Sequence, residues 1–180
     1  MKSEPSFEKP KSFAFPEPRQ AKIYEALKRT VGDATAAFYK DACKIYSGSY
    51  DLESETHLIG HLLREVLGAL TEILLPKDYV PSDGENENER KVSKIVSIYK
   101  IDADSKPIKL WLDIAKNKKD LGLHRWAHRS GQISVRAPDK RFEDLWQKIQ
   151  ILFEFSIALS KNAYNKNSCL SGTVKNQKNE

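Results

Sequence analysis

The chain's 4 histidines fall in two pairs of the same spacing, His57 and His61 in His-Leu-Ile-Gly-His, and His124 and His128 in His-Arg-Trp-Ala-His. On an α-helix, residues four apart stand one above the other on one face, so each pair projects two imidazoles in one direction. Arginine borders both pairs, as Arg64 beyond the first and as Arg125 and Arg129 around the second. Three chemistries are compatible with this pattern. In the first, the imidazoles are half-buried polar groups hydrogen-bonded at helix contacts. In the second, the four converge, or each pair recruits a carboxylate such as Glu65, Glu72 or Asp120, to hold zinc or another transition metal. Neither pair carries the glutamate of HExxH, so the spacing allows this reading without specifying it. In the third, the cluster works on RNA with no cofactor. Cleavage needs a base for the 2′-hydroxyl proton, an acid for the leaving oxygen and cations for the charge on the phosphorane. Histidine supplies the first two near neutral pH, and the donor fork of arginine supplies the third. The catalytic candidates are then His128 and His61 foremost, with His124 and His57 beside them. Arg125, Arg129 and Arg64, with Lys118 and Lys119, are the candidates for phosphate.

The charge distribution favours an anionic partner for one part of the chain. A formal net charge of +5 over 180 residues is modest, but it resolves into −7 over residues 51–90 and +7 over residues 106–141. Each segment carries one histidine pair, so a site joining them requires that the two segments meet in space. Trp111 and Trp126 lie among the cations of the basic segment. Positive charge interleaved with aromatic rings suits phosphates and unpaired bases, although solvated helix faces and core tryptophans give the same letters.

The elements that must position these residues read as helices. Residues 1–19 hold Pro5, Pro10, Pro16 and Pro18, and residues 161–180 are rich in Lys and Asn; both stretches are expected to be disordered tails around a bundle over residues 20–160. A first helix follows Pro18 with Ile23, Leu27, Val31, Ala34, Phe38, Ala42 and Ile45 inward, kinked or split at Gly32. A second is capped by Asp51 or Ser54 and ends before Pro76. Its broad apolar half runs from Leu58 and Ile59 to Ile73 and Leu74. Opposite that half, His57, His61, Arg64, Gly68 and Thr71 fall within about 80° of one another at 100° per residue. Such a stripe suits a polar cleft, with Gly68 leaving room for a neighbouring backbone or a ligand. Residues 78–90 read as an acidic loop, and Val92, Ile95, Val96 and Tyr99 mark a short third helix. A fourth begins near Ser105 with Pro107 in its first turn and Trp111 and Ile114 inward. A fifth covers residues 121–129, and residues 132–136 form an extended link. The last starts at Pro138 and buries Phe142, Leu145, Trp146, Ile149, Leu152 and Phe153. The expectation is an all-α, single-domain bundle of five or six helices.

The most apolar stretch, residues 149–159, carries Glu154 and is far shorter than the ~20 residues of a membrane span. Met1 and the residues after it lack the apolar core of a signal peptide, and Cys43 and Cys169 do not make a disulfide framework, so a cytoplasmic setting is expected.

The order of helices, the late segment Leu123-His124-Arg125-Trp126-Ala127-His128-Arg129 and the earlier polar set His57, His61 and Arg64 resemble the HEPN superfamily. These are helical-bundle domains of prokaryotic toxin–antitoxin and antiphage systems, many of them metal-independent ribonucleases. Ala127-His128 matches the end of the family's Arg-containing motif, whereas the positions for its arginine hold Leu121, Gly122 and Leu123. The resemblance implies RNA binding, with ribonuclease activity or with a purely binding or assembly role. It also implies a homodimer or higher oligomer, or a partner protein of the same system. A helical adaptor without enzymatic activity, pairing its acidic and basic segments with partners, is the alternative from another class.

Overall fold

The computed structural model describes residues 13–49, 52, 54–80, 86–118, 121–127 and 138–172, the side chains of Arg125 and of residues 163–172 excepted. The regular structure among them is all helical: α1 Pro18–Thr30, α2 Asp33–Tyr46, α3 Glu55–Leu74, α4 Glu87–Tyr99, α5 Lys106–Ala115, α6 Leu123–Ala127 and α7 Lys140–Gly172. The all-α bundle is as expected, and no described helix is long and apolar enough to cross a membrane.

The longest helix, α7, organises the core. Phe142, Leu145, Trp146, Ile149, Leu152 and Phe153 are all fully buried, the stripe its 3.6-residue period demands. Asp139 caps it, Oδ1 accepting the N–H groups of Arg141 and Phe142 at 3.1 and 3.0 Å. Pro138 therefore precedes the cap, and the helix proper begins two residues later than the proline suggests. α7 packs against α1, α3 and α5. Trp146 stacks on Tyr46 with ring centroids 4.4 Å apart, and Arg19 of α1 forks onto Glu154 at 3.0 and 2.8 Å. The helix continues through residue 160, the boundary expected for the C-terminal tail. At the other end, Phe13 and Phe15 pack edge to face at 5.3 Å and reach Tyr24, inside the stretch expected as a tail. Two phenylalanines give that segment apolar surface to bury.

Three expectations change. Gly32, at φ 124°, splits the first helix, one of the two outcomes expected there, and the inward face changes because the helical phase of α1 does not carry into α2. The buried face restarts as Thr35, Ala36, Tyr39, Ala42 and Cys43, leaving Phe38 40% exposed. α4 begins at Glu87, inside the expected loop: Glu87 and Glu89 suit the positive end of a helix but carry no apolar marker. On α3, Leu58 and Ile73 are exposed while Thr56, Gly60 and Thr71 are buried. The buried sector is thus rotated toward the polar stripe, because a further element covers that side.

Candidate functional site

The covering element is α6. Its five residues lie directly on α3, and the contact is set by Gly60, the glycine between His57 and His61. A β-carbon at Gly60 would stand 3.0 Å from the carbonyl carbon and from Cβ of Trp126, and 3.1 Å from the Ala127 nitrogen. Only a residue without a side chain lets the two backbones approach this closely. Trp126 meets Phe142 of α7 edge-on, with centroids 5.1 Å apart, which fixes the far side of α6. A helix of the acidic segment and a helix of the basic segment are therefore in direct contact.

The close approach engages His61. Arg64 Nη2 lies 3.5 Å from His61 Nδ1 and 3.4 Å from Glu65 Oε1. Guanidinium only donates, so His61 Nδ1 accepts, the ring proton sits on Nε2, and the imidazole also bonds the backbone at Ala127. Burial, the Arg64 charge and then His57 hold the His61 pKa below the ordinary imidazole value, against smaller opposing effects of the Ala127 backbone and Glu65. His57 stands edge-on to His61 at 5.0 Å between centroids.

Beyond this contact a cleft of about 160 Å³ opens between α3 and the helices α4, α5 and α6. Arg64 and Gly68 of α3 form one wall and His124 of α6 part of another; Leu67, Val92, Trp111 and Ile114 give an apolar floor. Thr71 donates its hydroxyl to the Leu67 carbonyl at 2.7 Å, so its polar atom is turned back onto its own helix. Asn88, Lys91 and Asn117 complete the polar rim, with Glu72 the carboxylate. Lys91 is paired with Glu87 at 2.7 Å, and Lys116 with Glu89 at 2.8 Å, which ties the start of α4 to the end of α5.

The structure thus brings together Arg64, Gly68, Thr71 and His124 of the expected site, with His61 behind Arg64. Gly68 borders open space, as expected of a glycine beside a ligand, while the close backbone approach belongs to Gly60. Lys118 is exposed and paired with Asp113 at 2.6 Å. His128, Arg129, Lys119 and Asp120, the side chain of Arg125 and the link at 132–136 lie outside the described residues. Among the described residues, no three His, Cys, Asp or Glu side chains are grouped to hold a metal. The cleft's Asn88, Lys91 and Asn117 were not legible as site residues, since none belongs to a motif. Asn117, a non-glycine at φ 51°, is recognised only from the backbone. No family model, curated protein or solved structure matches the chain.

Proposed function

We propose that this chain is a HEPN-like RNA-binding domain of a bacterial stress or antiphage defence system, acting in the cytoplasm and assembling with copies of itself or a partner of that system. The cleft between α3 and α6 is its RNA site. One observation carries the reading: Arg64, held against His61, lines the same cleft as His124, so a guanidinium and an imidazole of oppositely charged segments share one wall-to-wall space. Such a pair suits a phosphodiester, the first as a forked donor and the second as an imidazole able to donate or accept a hydrogen bond.

Binding is better supported than cleavage. Of the histidines whose positions are described, His124 lines the cleft, whereas His61 is occupied by Arg64 and the Ala127 backbone. A two-group acid–base mechanism there requires a second proton carrier, for which His128 is the candidate from sequence. The test uses fluorescent single-stranded RNA with the full chain in EDTA. Arg64→Ala should weaken binding about tenfold or more, the loss expected for a charge-assisted hydrogen bond. If cleavage occurs, it should disappear in both His124→Ala and His128→Ala. Failure of the wild-type chain to bind RNA at low salt overturns the proposal and leaves the non-enzymatic adaptor as the reading.

A further inference from the structure

The cleft has a composition that phosphate alone does not explain. Its cations are partly compensated, Lys91 by Glu87 and Arg64 by Glu65, and it contains the carboxylate of Glu72. An uncompensated carboxylate repels an anion, so the Glu72 side of the rim is a poor phosphate site whereas the side of Arg64 and His124 is a good one. The interior is instead apolar below and amide-bearing at the rim. Its volume, about 160 Å³, is only slightly more than the ~150 Å³ cavity that holds benzene, so its enclosed part takes one ring of a flat base.

The backbone that carries the two amides is held in place. The Lys116–Glu89 ion pair at 2.8 Å brings together the chain neighbours of Asn117 and Asn88. Asn117 adopts the left-handed conformation at φ 51°, and Gly122 packs so tightly on it that a β-carbon there would lie 3.0 Å from Asn117 Oδ1. Neither carboxamide makes a side-chain hydrogen bond to the described residues. Opposite them, Gly68 leaves the α3 wall bare: a β-carbon at that position would meet nothing within 4 Å.

We infer that the cleft accepts one unpaired adenine base of the bound strand, flat on the apolar floor, with its edge read by Asn88 and Asn117 and its flanking phosphate on Arg64 and His124 at the mouth. This rests on the RNA reading above and names what the site selects. A carboxamide offers an acceptor beside a donor, matching the N6 amine and N7 of adenine, whereas guanine shows two acceptors, O6 and N7, on the same edge. Glu72 adds a second acceptor for the exocyclic amine.

The experiment compares labelled oligo(A), oligo(C) and oligo(U) of equal length by fluorescence anisotropy with the full chain. Oligo(A) should bind at least about fivefold more tightly than the other two, the lower end of what one amide–base pair discriminates. The double variant Asn88→Ala/Asn117→Gly should lose most of the preference for oligo(A) over oligo(C) and oligo(U), leaving about a twofold difference or less. Glycine keeps the positive φ at position 117, and position 88 is exposed, so the fold is retained. Equal wild-type affinity for the three strands, or an adenine preference as large in the double variant as in the wild type, overturns the inference while leaving RNA binding intact. Failure to bind any of the three overturns the RNA reading itself.

Discussion

At Gly60 the backbone of α6 fills the space where a side chain would begin, and at Gly68, further along the same helix, that space is empty. The two glycines therefore respond in opposite ways to the same substitution. Gly60→Ala forces a β-carbon to 3.0 Å from backbone and Cβ atoms of Trp126, which must shift. The expected cost is about 1–3 kcal/mol, as for overpacking elsewhere. Gly68→Ala removes backbone freedom from the unfolded chain in an open helical position and should stabilise by about 0.5–1 kcal/mol. It should also weaken RNA binding by narrowing the cleft. Urea unfolding and RNA titration of both variants check the pair. A Gly60→Ala protein as stable as wild type would mean that α6 does not lie against α3 as closely as described. From the sequence, Gly68 was singled out and Gly60 passed over, although both are glycines on one helix. What separates them is the neighbour from a distant part of the chain, and no spacing within α3 encodes it.

Among the elements, those with a clean apolar period were legible and those whose face depends on a break or a partner were not. α7 buries all six residues its pattern nominates. α2 does not, because Gly32 resets the phase and Tyr39 takes the core position that continuous winding would give to Phe38. The α3–α6 contact has a consequence for pH. His61 is faced by Arg64, His57 and Glu65 from α3 and by the Ala127 backbone from α6, and its pKa is held below the ordinary value, chiefly by burial and then by Arg64. For a base with a depressed folded pKa, the unfolded chain takes up a proton that the folded chain resists. The stability contributed is thus fully present above the ordinary value of ~6.5 and lost as pH falls toward and through the lowered folded pKa. Unfolding free energy should therefore decline as pH falls from about 7.5 to about 5, and the decline should be shallower in His61→Gln. Identical slopes in the two proteins would sink the assignment of His61 as a titrating contact.

Over the whole molecule, the separation of charge into segments of −7 and +7 proved informative about which helices meet, less so about how much positive charge is free. Lys109, Lys116, Lys118 and Arg141 each find an acidic partner, at 3.0, 2.8, 2.6 and 3.7 Å. Spacing could not reveal the first two, since Asp104 and Glu89 lie outside the basic segment. Exposed pairs of this kind contribute roughly 0–1 kcal/mol, so a phosphate can compete for the lysine. On the proposed RNA reading the block would act as a cationic track whose strength depends on salt. Binding of single-stranded RNA should fall on a log–log plot against salt with a slope of about −0.7 for each phosphate neutralised. Arg64→Ala and Lys118→Ala should each flatten that slope by about 0.7 if the strand runs from the cleft mouth along the end of α5. Arg29→Ala, in the groove between α1 and α7, should leave it unchanged. A slope that responds to Arg29 and not to Arg64 would place the strand on the α1–α7 side and remove the cleft from RNA binding.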